Sequence, residues 1–200
     1  PDGQLDSFLK SQLDISFKRR ALLMLEVSRG LAYLHRMGVV HRDIKPANVL
    51  LQMSPDGGPM RAALADFGLA RAKSTSSMQA TVHQAGTVSF MAPEMLDDDD
   101  EATDISFGKR SDVYAMGIML YQLLAKMEPW HVISDMSTGP SAMGSPTPMN
   151  QAKVTVQVLK GKRPEDVHPL PANVPRALAE LMRDALAHQY YERPSSNDLV

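Results

Sequence analysis

The 200-residue chain contains no cysteine, which excludes disulfides, thiolate zinc sites and cysteine nucleophiles. Its six histidines are scattered and show no metal-ligand spacing. Lysine and arginine number 21 against 23 aspartate and glutamate residues, a balance that argues against a nucleic-acid partner. The lack of cysteine suits a reducing compartment. We therefore expect an intracellular, cytoplasmic location, for a free protein or for the cytosolic part of a membrane-anchored one.

Long apolar runs are also missing. The most apolar stretch, Val113–Ala125, has 13 residues and includes a glutamine, so it is too short to span a bilayer. Because it is apolar on every face, it predicts a helix buried in a protein core. The N-terminus has neither an initiator methionine nor an apolar signal segment, and both ends are expected to be cuts through a longer protein.

Periodicity predicts a mostly helical domain around that buried segment. Apolar residues recur at helical spacing in three further segments, numbered 1–17, 18–37 and 175–187. Val49–Leu51 and Ala62–Leu64 flank a turn rich in proline and glycine, and together they predict a hairpin. The stretches 70–89 and 134–150 are predicted to be a long loop and a flexible insertion. Ser195 or Ser196 is placed to cap one more helix.

The stretch from His41 to Asn48 carries a carboxylate, an amine and an amide within one polar loop: Asp43, Lys45 and Asn48. Phosphoryl transfer needs such a set, namely a carboxylate to take the hydroxyl proton, a cation for the γ-phosphate and an oxygen ligand for Mg²⁺. An ordinary charged surface loop is the alternative interpretation of this stretch taken alone, and phosphoryl transfer is the favoured one.

Two more short motifs follow in order. Asp66, Phe67 and Gly68 come directly after the second hairpin strand, and they offer a hard oxygen ligand for Mg²⁺ followed by a glycine that permits a sharp turn. Such a triplet is also common in plain turns. The segment Met91–Glu94 comes next, with Gly86–Thr87 before it. Their order and spacing carry the argument, since none decides the function singly.

In this order the motifs resemble the eukaryotic protein kinase family, whose signatures run catalytic loop, DFG, activation loop and APE. The resemblance covers residues 1–200 as one domain. It implies a mainly α fold, the C-terminal lobe of a kinase, with a helical bundle around a buried central helix, a small β-hairpin and a long activation loop. The sequence has no glycine-rich loop and no strand lysine with its partner glutamate. We therefore expect the N-terminal lobe to be absent from this chain and supplied in cis.

The resemblance also implies the site. Asp43 is expected to be the catalytic base and Lys45 to contact the γ-phosphate. Asn48 and Asp66 are expected to hold Mg²⁺, and Leu50 to form the floor under the adenine of ATP.

The substrate class follows from the same likeness. Lys45–Pro46 is the serine/threonine form of the catalytic loop, and Thr87 is expected to contact Asp43 and Lys45 in that class. The segment Gly86–Glu94 looks most like the tyrosine-kinase-like branch. Protein serine and threonine side chains are thus the expected substrates, with dual specificity left open.

Structural roles are implied for residues outside these motifs. Asp112 is expected to tether the catalytic-loop backbone and Arg193 to pair with Glu94, while His41 and Phe67 are packing residues. Arg42 is expected to receive a phosphate from the activation loop. The candidate acceptors there are Ser74, Thr75, Ser76, Ser77 and Thr81.

Two other functions stay open. A pseudokinase lobe that binds partners without catalysis is the main alternative, because the strand lysine lies outside this sequence. A lipid or small-molecule kinase is more distant, since Thr87 and the APE segment suit a peptide substrate. The chain alone is expected to fold at least partly without transferring phosphate.

Overall fold

The longest helix, α3 (Ile105–Ala125), forms the centre of the fold, and every residue from Asp112 to Leu124 is buried. The computed structural model describes residues 2–11, 14–55, 59–66, 88–96, 105–133 and 146–200. The predicted buried helix is confirmed, but it begins at residue 105 instead of 113. Its first two turns mix polar residues with Gly108 and show no apolar run. A Cβ at Gly108 would lie 2.9 Å from Val40 Cγ1, so this turn packs too closely for a side chain.

Helix α1 (Leu5–Lys10) lies near the start, and α2 (Phe17–Arg36) packs along the hairpin and α3. The side chain of Ser16 caps α2 by accepting a hydrogen bond from the backbone N–H of Arg19 at 3.3 Å. Gly38 follows the helix with φ +75°, the left-handed conformation that glycine adopts readily. The helix predicted over 18–37 is thus confirmed at both ends.

The predicted hairpin is confirmed as strands β2 (Val49–Met53) and β3 (Pro59–Leu64), with Leu50 opposite Ala63. A third strand, β1 (Gly3–Gln4), pairs antiparallel with β2 and gives the order β1-β2-β3. The sequence analysis missed β1 because two residues are too few to show an alternating pattern.

The second sheet corrects the prediction of a flexible insertion over 134–150. Within that range β5 (Pro146–Pro148) pairs antiparallel with β4 (His131–Ile133). Two prolines in three residues disguise the strand, since proline cannot donate to a ladder and is tolerated only at a sheet edge. Residues 134–145 lie outside the described residues. So do residues 70–87 of the loop predicted over 70–89, whose last two residues belong to a 3₁₀ turn, Val88–Phe90.

Three helices complete the chain: α4 (Gln151–Leu159), α5 (Pro164–Val167) and α6 (Arg176–Ala185). Helix α6 packs against α3 where Gly117 faces Ala185 and Leu186. The helix predicted over 175–187 is confirmed, although Pro175 is its N-cap and not its first residue. Mainly helical, with two small sheets, the architecture agrees with the expected fold class. In the described part of the chain, no helix combines the length and apolar character that a membrane crossing requires.

Candidate active site

The loop from His41 to Asn48 joins the end of α2 to β2 and is anchored by apolar residues. Val40, Ile44 and Val49 are each at most 2% exposed. The loop ends in a short 3₁₀ turn, Pro46–Asn48, against which α1 packs. Buried anchors on both sides therefore fix the polar side chains between them.

Asp43, Lys45 and Asn48 come together as the sequence predicted. Asp43 is 6% exposed, and its Oδ2 lies 2.8 Å from Lys45 Nζ and accepts a hydrogen bond of 2.8 Å from Asn48 Nδ2. Asn48 Nδ2 also donates to the backbone oxygen of Asp43 at 2.7 Å. The other carboxylate oxygen of Asp43, Oδ1, is buried and has no hydrogen-bond partner among the described residues. A buried oxygen of this kind is an acceptor that lacks a donor.

Asp66 lies next to this cluster because the preceding peptide is held on both sides. The backbone N–H of Ala65 donates to the carbonyl of Asn48 at 2.9 Å, and His41 Nε2 lies 3.1 Å from the carbonyl oxygen of Ala65. Asp66 itself is exposed, with φ +60°. Both described hydrogen bonds of the Asn48 amide are donated by Nδ2, so neither uses its Oδ1. Asn48 Oδ1 and the Asp66 carboxylate are both hard oxygen ligands. Such donors fit Mg²⁺.

Asp112, at the start of the buried part of α3, holds the catalytic-loop backbone. Its Oδ2 accepts a hydrogen bond of 2.8 Å from the N–H of His41, and its Oδ1 accepts one of 2.8 Å from the N–H of Arg42. Arg42 has φ +67°, a left-handed conformation that is strained for a side chain with a Cβ. The expected tether is confirmed, and it stabilises a backbone geometry that the loop would not adopt by itself.

Two further residues support Asp112, and neither was predicted to do so; Ser196 was expected to cap a helix, but a turn follows it. His35 Nε2 lies 2.8 Å from Asp112 Oδ2, and His35 Nδ1 lies 2.9 Å from Ser196 Oγ. His35 and Ser196 are 5% and 4% exposed. The one available signal was the phase of His35 on α2, four residues after buried Leu31, since a buried imidazole needs polar partners.

The expected pair between Glu94 and Arg193 is also confirmed. Arg193 Nη1 and Nη2 donate to Glu94 Oε1 and Oε2, each at 2.6 Å, in a bidentate arrangement. The side chain of Arg193 is 0% exposed and that of Glu94 is 6% exposed. The pair joins the 3₁₀ turn Pro93–Met95 to the segment that follows α6.

The structure describes only some of the remaining predicted residues. Leu50 is half-buried on β2. Thr87 and Phe67 lie outside the described residues, as do the five candidate phosphate acceptors. Their roles stay predictions.

Comparison with known proteins agrees with this arrangement. The chain is 31% identical over 204 residues to the serine/threonine/tyrosine-protein kinase HT1 of Arabidopsis thaliana, covering 99% of the chain and 43% of that protein. It is 28% identical over 202 residues to the serine/threonine-protein kinase STY46 of the same plant, covering 100% and 29%. It is 33% identical over 135 residues to the dual specificity protein kinase shkB of Dictyostelium discoideum, covering 66% and 19%.

The chain thus spans less than half the length of these relatives. All 200 residues match the family described as protein kinase domain, and the catalytic loop, its tether and the buried ion pair have the geometry that the resemblance implied. The chain therefore belongs to the protein kinase domain family.

Proposed function

We propose that residues 1–200 form the C-terminal lobe of a serine/threonine protein kinase that transfers the γ-phosphate of ATP to protein hydroxyl groups. One observation carries the proposal. Asp43 Oδ1 is buried with no donor among the described residues, while Oδ2 of the same carboxylate is held by Lys45 and Asn48. We assign the substrate hydroxyl as its donor; Thr87, which is expected to contact Asp43 as well, lies outside the described residues.

The proposed roles follow from these contacts. Asp43 Oδ1 accepts the hydroxyl proton as the substrate oxygen bonds to the γ-phosphorus and the bond from that phosphorus to ADP breaks. Lys45 keeps Asp43 oriented and offers a cation to the transferred phosphate. Asn48 and Asp66 hold Mg²⁺, which when bound neutralises charge on the phosphates. Leu50 supports the adenine.

The serine/threonine class rests on the family resemblance of Lys45–Pro46 and Thr87. Two of the relatives carry names that include tyrosine or dual specificity. Phosphoamino-acid analysis of a protein substrate treated with the upstream-extended chain separates the two classes: phosphotyrosine beside phosphoserine or phosphothreonine would show dual specificity. We propose an intracellular location, where ATP and protein substrates are both available.

The test compares two substitutions in a version of the protein that includes the sequence upstream of Pro1. Asp43→Asn should lower turnover by roughly 10²–10⁴-fold, the usual contribution of a general base, and leave ATP affinity nearly unchanged. Asp66→Asn should also weaken Mg-ATP binding because it removes a metal ligand. Equal effects of the two substitutions on nucleotide binding would mean that the roles are divided wrongly.

A second comparison separates a kinase from a pseudokinase. The 200-residue chain alone should transfer no phosphate, because no glycine-rich loop or strand lysine occurs in it to close over ATP. An upstream-extended chain should be active on a generic protein substrate. Absence of phosphoryl transfer by an extended chain that contains the strand lysine would favour the pseudokinase. Phosphoryl transfer by the 200-residue chain alone would contradict the expectation that both lobes are needed.

A further inference from the structure

Helix α4 has apolar side chains on two opposite faces. On its inner face, Val154 and Val158 are each 1% exposed. On its outer face, Val156 and Leu159 are 46% and 41% exposed, and with the exposed Ala152 they form a stripe at the spacing i, i+4 and i+7. A surface helix normally carries polar side chains on the face away from the core. The outer apolar stripe is therefore a candidate contact surface.

Lysines border this stripe and give the surface a positive charge. Lys153, Lys160 and Lys162 are exposed, and no side-chain nitrogen of the three has a hydrogen bond or ion pair within the described residues. The range 149–164 contains no aspartate or glutamate, although the chain as a whole has a net charge of −2. The charge of this surface is thus opposite in sign to that of the whole chain.

The acidic residues that follow the stripe in sequence are already used. Glu165 accepts hydrogen bonds from Arg183 Nη2 at 2.9 Å and from Arg183 Nε at 3.0 Å. Asp166 accepts one of 2.7 Å from the backbone N–H of Arg163, at the start of α5. Neither carboxylate bonds to the three lysines, which are therefore available to the carboxylates of another protein.

Lys153 lies at a position where a cation disfavours the helix. Asn150 caps α4 by accepting a hydrogen bond of 2.9 Å from the backbone N–H of Lys153, the third helical residue. The N-terminal end of a helix carries a partial positive charge, so an acidic or amide side chain is usual at this position. Lys160 and Lys162, at the opposite end, interact favourably with the helix dipole. Of the three lysines, Lys153 is thus the one whose position the helix itself does not explain.

The stripe lies beside the segment that is expected to meet the substrate. Helix α4 packs against the 3₁₀ turns Val88–Phe90 and Pro93–Met95. The chain enters the first of these turns directly from Thr87, which is expected to contact Asp43 and Lys45. Residues 87–95 span at most about 30 Å, which is about the diameter of a small domain. One substrate protein is therefore large enough to contact the catalytic loop and α4 together.

We propose that the outer face of α4 is a docking site for an acidic, apolar segment of the protein substrate. Two apolar side chains of that segment, three or four positions apart, pack on Val156 and Leu159. Carboxylates beside them pair with Lys153 and Lys160. This docking rests on the phosphoryl transfer to proteins proposed above. It adds affinity outside the catalytic loop, so it should lower KM without raising kcat.

The first experiment measures binding alone, by fluorescence anisotropy of the upstream-extended chain with fluorescein-labelled Glu-Glu-Leu-Asp-Glu-Leu-Leu-Glu-Asp. The peptide should bind. Lys153→Glu should weaken binding by roughly 10-fold, because it removes an ion pair and adds a repulsion. Leu159→Ser should weaken it by roughly 5-fold, because less apolar surface is buried. Lys18→Glu and Leu22→Ser make the same changes at exposed residues of α2 and should leave the affinity unchanged.

Thermal unfolding separates docking from a structural role of the lysine. Lys153→Glu should raise Tm by about 1–3 °C, because a carboxylate suits the first turn of the helix, and should nevertheless bind the peptide more weakly. A lower Tm for this variant, no binding of the peptide, or equal affinity in the Lys153→Glu and Lys18→Glu variants would overturn the proposal. Binding of phosphatidylserine vesicles in preference to the peptide would assign the face to a membrane and overturn it as well.

The second experiment joins the acidic peptide to a substrate with a serine acceptor. The upstream-extended chain should phosphorylate this substrate with a KM roughly 10-fold lower than that of the same substrate without the acidic segment. Lys153→Glu should remove the difference. Equal KM values in the unmodified enzyme would overturn the assignment of the docked segment to a substrate. If neither substrate is phosphorylated, the proposed function fails, whereas the anisotropy experiment still decides whether the face binds the peptide.

Discussion

Arg193 permits a quantitative test of the buried ion pair, because all five of its side-chain N–H groups are used. Its guanidinium contacts two carboxylate oxygens and three backbone carbonyls, those of Glu94, Arg110, Ala187 and His188. Its Cζ also lies 5.0 Å from the ring centroid of Tyr114. Removing the guanidinium therefore leaves a buried carboxylate without its cation, although Glu94 Oε1 keeps a hydrogen bond of 2.8 Å from Ser111 Oγ, and takes one donor from each of the three carbonyl groups.

The expected cost can be worked out from these contacts. Arg193→Met should lower the free energy of unfolding by about 3–5 kcal/mol, the usual cost of leaving one charge of a buried pair uncompensated. Arg193→Lys keeps the charge but has only three donors, so the loss of two hydrogen bonds should cost about 2 kcal/mol. Changing both partners, as in Glu94→Leu with Arg193→Met, should cost much less than the sum of the two single changes.

Urea denaturation at neutral pH measures these differences. A typical domain has only about 5–15 kcal/mol of stability, so Arg193→Lys provides a measurable variant if Arg193→Met fails to fold. Losses below about 1 kcal/mol for both single variants, or strict additivity in the double variant, would refute the claim that the pair is buried and coupled.

Three further predictions concern buried groups. The Tyr114 hydroxyl has no partner within the described segments whereas that of Tyr121 donates to a carbonyl, so Tyr114→Phe should stabilise by about 1 kcal/mol and Tyr121→Phe should destabilise by a similar amount, as urea curves would reveal. Burial raises the pKa of both phenols from 10.0 to about 12, because the folded protein disfavours their ionised form. The free energy of unfolding should therefore be unaffected by these groups below pH 10 and should fall between pH 10 and 12, where they ionise first in the unfolded chain. A flat stability profile over that range would contradict this prediction. A Cβ at Gly117 would lie 2.9 Å from Leu186 Cδ2, which is too close, whereas a Cβ at Gly30 would lie 3.6 Å from Leu64 Cδ1, an ordinary contact. Thermal melts should therefore show Gly117→Ala destabilised by the clash and Gly30→Ala stabilised by its higher helix propensity.

Another prediction concerns the hydrogen bonds that support the catalytic loop, His41–Asn48. Ser196→Ala should lower the turnover of an upstream-extended active form, because it removes the hydroxyl bonded to His35. The neighbouring Ser195→Ala is the control, since the described hydrogen bonds of the Ser195 hydroxyl and N–H both go to exposed Asp198. Equal turnover in both variants would show that Ser196 does not help to position the loop.

Local patterns were sufficient for much of the fold. The boundaries of α2 followed from apolar spacing and Gly38, and the all-apolar stretch after Asp112 identified the central helix. Asp43, Lys45 and Asn48 could be grouped because they lie in one short loop. These features depend on neighbours in sequence, which is what a pattern records.

Features that depend on distant residues were not accessible in the same way. The Glu94–Arg193 pair was predicted through the family resemblance, since no spacing rule connects the two positions. The contact between His35 and Ser196 joins residues 161 positions apart, and nothing local marks either of them as a partner of the other. Gln122 Oε1 is buried with no hydrogen-bond partner among the described residues, and this is visible only when the packing around it is known.

The tether from Asp112 has a consequence for the order in which the protein folds. The two backbone bonds that hold His41 and Arg42 come from a residue 71 and 70 positions later in the chain. Contacts of such separation form late, because a long loop must close before they contribute. The left-handed backbone at Arg42 thus cannot be maintained until α3 has docked. A nascent or partly unfolded chain would retain its α2 helix without a competent catalytic loop, so catalytic geometry should appear only with the last step of assembly.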